Sequence, residues 1–108
     1  MLPDDILHDL WTNVVRALRE QPFVGINEDH FHATMPDMPF GDAEVRHAAA
    51  FLRQQGTSAL AIRLQCDTVE DHILIAGRTD DDLRQGQAAM SDGLADFVGA
   101  SLRVLDHN

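Results

Sequence analysis

The sequence predicts one α+β domain over residues 1–108, with helices packed on a small antiparallel sheet in the order helix, hairpin, helix, hairpin, helix. A chain of 108 residues has the usual length of a single domain. Three of its segments repeat apolar residues every three or four positions, as amphipathic helices do. Between the second and third segments the repeat shortens to two, which is typical of a strand with one buried face.

The first predicted helix covers residues 4–20. Asp4 and Asp5 suit its positive N-terminal end, and Pro22 stops it. Its apolar stripe is broad and contains Ile6, Leu7, Leu10, Trp11, Val14, Val15 and Leu18. Seven large apolar residues exceed what one small sheet needs to cover. Core packing is therefore one interpretation of this face, and contact of Leu7 or Trp11 with a partner is the other.

The second helix is predicted over residues 42–55, with Asp42 as its N-cap and Gly56 at the C′ position. The segments "SALAIRLQC" and "HILIAG" follow as two strands. A short polar turn, "DTVED", joins them, which predicts an antiparallel hairpin.

The tripeptide "EDH" occurs at residues 28–30 and again at residues 70–72. The second copy closes the hairpin turn just described. By analogy, the first copy predicts another hairpin, in which "FVGI" and "HFHATM" are the strands and residues 27–29 are the turn.

The third helix is predicted over residues 79–102. Thr79 and Asp82 resemble a capping box, and Asp80, Asp81 and Asp82 lie where the helix dipole favours anions. The same three carboxylates are candidates for contact with a basic partner.

Small residues repeat along the third predicted helix at Gly86, Gly93 and Ala100, with Ala89 between the first two. Glycine in a helix costs about 0.5–1 kcal/mol relative to alanine, so a packing reason is expected. Close packing on the protein's own sheet is one explanation, and a helix–helix contact in a homodimer is the other.

The charge balance limits the classes of partner. Eighteen acidic residues face eight basic ones, all of them arginine, which gives a formal net charge of −10. A field of this sign repels nucleic-acid backbones and anionic membrane surfaces, so neither is an expected partner. A basic protein is the expected partner, although solubility alone also explains the charge.

The chain is expected to be cytoplasmic. Cys66 is its single cysteine, so no intramolecular disulfide forms. Acidic residues stand near the start, where a signal peptide would carry positive charge, and no apolar run reaches membrane-spanning length.

The stretch "NEDHFHATMPDMP" offers one candidate metal pair. On a strand, His30 and His32 would point to the same face and share an ion. A strand end is the preferred interpretation, because solvent-facing histidines at this spacing place Phe31 in the core. We therefore predict no metal and no cofactor.

No catalytic arrangement is recognisable in the sequence. His8, His47, His72 and His107 are scattered and are typical of surface or capping histidines. Cys66 is predicted on the apolar face of its strand, where a thiol behaves as a small hydrophobic group. No phosphate-binding loop or nucleophile elbow is present, so enzymatic activity is not expected.

The pattern from residue 42 onward resembles the small class I chaperones of bacterial type III secretion, the Tir-chaperone family. The segment "EVRHAAAFLRQQG" is similar to that family's middle helix. The strands "SALAIRLQC" and "HILIAG" resemble its C-terminal hairpin, and "DDLRQGQAAMSDGLADFVGASLRVL" resembles its last helix. The resemblance covers about two-thirds of the chain and implies a homodimer without enzymatic activity that holds one secreted effector partly unfolded.

Three functional hypotheses follow from these observations. The first is an acidic protein-binding protein, such as a secretion chaperone with one cognate effector. The second is an immunity or antitoxin protein that neutralises a basic toxin such as a nuclease, for which negative charge speeds association. The third is a small metal-binding protein or enzyme that uses His30 and His32.

Overall fold

The computed structural model describes residues 2–34, 37–97 and 99–106. Four helices and four strands lie in these ranges. In chain order they are α1 Asp4–Leu18, β1 Phe23–Ile26, α2 Glu28–Thr34, α3 Asp42–Gln54, β2 Ser58–Cys66, β3 Val69–Gly77, α4 Asp80–Leu94 and β4 Ala100–Val104.

The four strands form one sheet in the order β1-β3-β2-β4, and each neighbouring pair is antiparallel. The predicted hairpin of β2 and β3 is confirmed, and the two strands pair along their full lengths. Asp67 in its turn has a φ of +56°, a left-handed conformation that aspartate tolerates better than most residues. The α+β class is also confirmed, with the helices packed against the sheet.

Helices cover both faces of the sheet. The first three pack on one face, where their apolar residues form a large core with Ala59, Ala61 and Leu74. Helix α4 covers part of the other face, over a smaller cluster that includes Ile62 and Ile75. The prediction that β2 has one buried face is therefore wrong. Alanines on the α3 side let that helix approach closely, while larger side chains fill the space under α4.

The predicted first hairpin is not present, because residues 28–34 form a helix. The side chain of Asn27 accepts a hydrogen bond from the backbone N–H of His30 at 2.8 Å, as an N-cap does. Glu28 and Asp29 then occupy the first turn, where acidic residues are favoured. Strand β1 pairs with β3 instead. Phe31 is buried, as predicted, and stacks on Phe40 with ring centroids 4.5 Å apart.

The third predicted helix ends early. Helix α4 stops at Leu94, and β4 follows along the edge of β2. Gly99, with a φ of +79°, precedes this strand in a conformation that glycine adopts without strain. The predicted helix, residues 79–102, extends past the true end because the apolar residues Phe97 and Leu102 continue the helical spacing, although Leu102 fits a strand equally well.

Two of three predicted helix-end residues are confirmed. Thr79 caps α4, and its hydroxyl accepts from the backbone N–H of Asp82 at 3.1 Å. Gly56 follows α3 with a φ of +88°. The N-cap of α3 is Gly41 rather than Asp42, since Glu44 reaches back to the Gly41 N–H at 3.0 Å and draws the helix start one residue further.

Candidate functional site

A buried histidine surrounded by carboxylates forms the most unusual polar cluster among the described residues. His72 lies on β3, on the face covered by α1–α3, and only 6% of its surface is exposed. Its Nδ1 lies 2.7 Å from Oε1 of Glu28, and its Nε2 lies 2.5 Å from Oδ1 of Asp42. Oε1 of Glu70 is 3.5 Å from the same Nε2. We call these four residues the His72 cluster.

Three elements hold the His72 cluster in place. Glu28 begins α2, Asp42 begins α3, and Glu70 and His72 share a face of β3 because they are two residues apart. Two neighbouring residues fix the geometry further: Arg63, which pairs with His72 across the β2–β3 ladder, and Asp71.

Arg63 and Asp71 orient members of the cluster by hydrogen bonds. The guanidinium of Arg63 donates to Oδ2 of Asp42 at 3.0 Å. Oδ1 of Asp71 accepts from the backbone N–H of His72 at 2.8 Å and from that of Glu28 at 3.3 Å. The carboxylates of the His72 cluster and of Asp71 together outnumber the guanidinium and the imidazole, so the region favours cations.

The carboxylates change the proton affinity of His72. Burial by itself lowers the pKa of the imidazole, because it disfavours the charged form. The hydrogen bonds that the imidazolium donates to Glu28 and Asp42, and the negative charges of these carboxylates, raise the pKa and outweigh burial. The pKa of His72 therefore lies above its ordinary value of 6.5.

We expect the His72→Gln variant to reveal this raised pKa in the stability of the metal-free protein. A group whose pKa rises on folding stabilises the fold fully below its unfolded pKa, about 6.5, and this contribution is lost as pH rises through the folded pKa. The stability advantage of the wild type over His72→Gln should therefore be largest below about pH 6.5 and shrink as pH rises above it.

Urea unfolding of both proteins in a chelator, at several pH values, measures this difference directly. Glutamine keeps a polar group at the position but does not titrate. An advantage of the wild type that grows as pH rises would contradict the assignment.

The sequence contains one signal for the His72 cluster. The repeated "EDH" tripeptides supply Glu28 from the first copy and both Glu70 and His72 from the second. The prediction that His72 is a surface or capping histidine is therefore wrong. Alternation along a strand predicts that Glu70 and His72 lie on the same face. No local pattern indicates that the first residues of α2 and α3 both contact the imidazole of His72.

The candidate metal pair at His30 and His32 rests on a strand that is absent. Both residues lie on α2, where positions two apart are separated by about 200° around the axis. Their rings therefore point away from each other. The group of possible ligands whose donor atoms converge in the described part of the chain is Asp42, Glu70 and His72.

The remaining histidines have separate surroundings. His8 is exposed and makes an edge-to-face contact with Phe51, with ring centroids 5.3 Å apart. Nδ1 of His47 accepts from the backbone N–H of Leu2 at 3.4 Å. His107 lies outside the described residues.

An open apolar groove lies on the opposite face of the sheet, between the end of α4 and the β2–β3 hairpin. We call it the α4 groove. Its walls are mainly apolar and consist of Leu64, Gln65, Cys66, Val69, Asp71, Leu94, Phe97 and Ala100. Val69 is 67% exposed and Phe97 is 62% exposed; they are the exposed large hydrophobic residues among those described. Cys66 is half-buried and forms part of this apolar wall.

The predicted partner-binding residues lie away from the α4 groove. Leu7 is 3% exposed and belongs to the core, so core packing, and not contact with a partner, explains this residue. Trp11 is partly buried against the same core, and its indole N–H has no partner among the described residues.

The carboxylates at the start of α4 have local roles. Asp80 accepts from the hydroxyl of Ser58 at 2.6 Å, and Asp81 pairs with Arg84. For Asp82 the local contact is made by the backbone N–H, which donates to the Thr79 hydroxyl, and not by the carboxylate.

The small residues predicted to form a dimer contact do not make one stripe. Gly86 is buried against Phe23 of β1, and a β-carbon there would lie 2.9 Å from the ring, so packing on the protein's own sheet explains this glycine. Ala89 and Gly93 are exposed, and nothing lies within 4 Å of a β-carbon built at Gly93. Ala100 belongs to β4, so it does not share a helix face with the others.

Within the described ranges, no helix is both long and apolar enough to cross a membrane. Fold and site together define a small α+β protein with three helices on one face of the sheet, one on the other, a buried histidine–carboxylate cluster and an exposed apolar groove. No protein-family model, curated protein or solved structure matches the chain.

Proposed function

We propose that the protein is an acidic protein-binding protein, of the chaperone kind, that holds an extended apolar segment of one protein partner in the α4 groove. The observation that carries the proposal is the position of the exposed hydrophobic side chains. Phe97 and Val69 both line this one groove. Exposed apolar side chains that cluster in a concave surface are typical of binding sites.

The charge around the groove favours a basic partner. Exposed carboxylates stand within two positions of the groove-lining residues, at Asp67, Asp92 and Asp96. With a net charge of −10 on the whole chain, arginine or lysine between the apolar residues of a partner would meet complementary charge.

The sheet edge favours a partner in extended conformation. Strand β4 is the last strand of the order β1-β3-β2-β4, so its outer side has no neighbouring strand among the described residues. Ala100 both begins β4 and lines the groove. A partner segment that extends from the groove past Ala100 would therefore reach an edge that accepts a further strand, a common mode of peptide recognition.

A labelled peptide of about ten residues, with leucine and arginine alternating, tests the proposal by fluorescence anisotropy. We expect the Phe97→Ser variant to bind it about tenfold or more weakly, since burial of one such side chain stabilises by about 1.5–3 kcal/mol. The matched control is Val15→Ser, which replaces a half-buried apolar residue on α1; it should bind like the wild type.

Salt separates this proposal from the toxin-neutralising alternative. Contacts between arginine and exposed carboxylates are screened by salt, whereas apolar contacts are not, so the peptide should bind more weakly at about 0.5 M than at about 0.05 M salt. Phe97→Ser should still weaken binding about tenfold or more at both salt concentrations. Steep loss of affinity with salt, together with no effect of Phe97→Ser, would contradict the proposal and favour binding through exposed carboxylates. A dimer in solution that Phe97→Ser converts to a monomer would also contradict it, because a second copy would then occupy the groove.

A further inference from the structure

We propose that Asp42, Glu70 and His72 bind a divalent transition-metal ion, with Glu28 as an outer partner of the histidine. The three ligand atoms, one from each residue, all lie within 4.8 Å of one another. One imidazole nitrogen and two carboxylate oxygens form a donor set that suits Zn²⁺, Co²⁺ or Mn²⁺ better than softer ions. This inference does not depend on the proposed groove.

The distances fit an ion after a small adjustment. Zn²⁺ with ligands at about 2.0–2.2 Å needs donor atoms about 3.3–3.6 Å apart in a tetrahedron. Nε2 of His72 and Oε1 of Glu70 are already 3.5 Å apart. Nε2 and Oδ1 of Asp42, now 2.5 Å apart, must separate by about 1 Å when the ion replaces their hydrogen bond. The carboxylate can move, because its side chain is 43% exposed.

The neighbouring residues match the surroundings of known metal ligands. A metal-binding histidine usually donates its other ring N–H to a carboxylate, which fixes the tautomer and the ring orientation. Glu28, 2.7 Å from Nδ1, is placed to accept that hydrogen bond. The guanidinium of Arg63 donates to Oδ2 of Asp42 at 3.0 Å and so orients this second ligand.

The site also offers a path for the ion. The side chain of His72 is 8% exposed and forms the floor, while those of Asp42 and Glu70 are 43% and 44% exposed and form the rim. Solvent therefore reaches two of the three ligands. The chain leaves at least one coordination position of a tetrahedral ion for water or a small ligand, as in open metal sites.

The proposal is tested by isothermal titration calorimetry, in which Zn²⁺ is added to the chelator-treated protein. We expect one high-affinity ion per chain, and with Co²⁺ a visible spectrum of a four- or five-coordinate ion. Glu70→Gln should weaken Zn²⁺ binding at least tenfold without changing the fold, because Glu70 lies at the exposed rim. Glu28→Gln should weaken it by about tenfold, since loss of an outer partner costs 10–100-fold.

The matched control is Asp67→Asn, which removes an exposed carboxylate from the nearby hairpin turn and should leave binding unchanged. Asparagine also tolerates the positive φ at this position. The double variant His30→Ala, His32→Ala should bind Zn²⁺ like the wild type. The proposal would be overturned by the absence of stoichiometric binding, by equal affinities of Glu70→Gln and the wild type, or by loss of binding in the His30, His32 variant.

Discussion

Replacement of Gly77 by alanine is expected to lower the free energy of unfolding by about 3 kcal/mol, the upper part of the usual cost of overpacking. Gly77 ends β3 and is buried under the start of α4. A β-carbon at this position would lie 2.6 Å from the backbone nitrogen of Leu83 and 3.0 Å from the carbonyl oxygen of Thr79. Both contacts are with backbone atoms, so no side chain can rotate away to relieve them.

Urea unfolding of Gly77→Ala beside Gly93→Ala measures this effect. Gly93 lies in the exposed last turn of α4 with open space around it, so alanine there should be neutral or should stabilise by up to about 1 kcal/mol. The two variants make the same chemical change in opposite surroundings. A free energy of unfolding of Gly77→Ala within about 0.5 kcal/mol of the wild-type value would contradict the close contact between α4 and β3.

Replacement of Leu74 by alanine is expected to cost about 2–5 kcal/mol, as for other fully buried leucines. Leu74 has 0% exposure. It lies on the central strand, opposite Ile26 of β1 and Ala61 of β2. Because it faces the core formed with α1–α3, the cavity is surrounded on all sides and cannot fill by a small shift of one element.

Val69→Ala is the matched control for Leu74→Ala on the same strand. Val69 is 67% exposed, so its replacement should change the free energy of unfolding by less than about 0.5 kcal/mol. Chemical denaturation of both variants gives the comparison. Similar losses at the two positions would contradict the burial of one end of β3 and the exposure of the other.

Local patterns predicted the middle of the chain well. From residue 42 to residue 77, a helix, a glycine at its end and two strands rich in apolar residues follow one another, and each leaves a signal in its own residues. The prediction of a first hairpin is wrong because "EDH" does not mark a turn: it begins helix α2 at residues 28–30 and lies within strand β3 at residues 70–72. Asn27 instead caps a helix, and a capping residue and a turn residue look alike in sequence.

Interactions distant in sequence account for what the sequence did not predict. Residues 100–104 become a strand because the exposed edge of β2 is available to them, which no local pattern indicates. The His72 cluster likewise requires α2, α3 and β3 to meet, so each of its residues looks ordinary in isolation. The two-sided burial of β2 follows from α4 packing on the far face, which depends on the tertiary fold.

The most direct test of the proposed function uses Cys66, the single cysteine of the chain and part of the wall of the α4 groove. The rate at which a small maleimide modifies its thiol is measured with and without a saturating amount of the leucine–arginine peptide. The proposal predicts that the bound peptide slows modification at least tenfold. A peptide that binds tightly while the rate stays unchanged would contradict it, because the partner segment would then bind somewhere other than the groove.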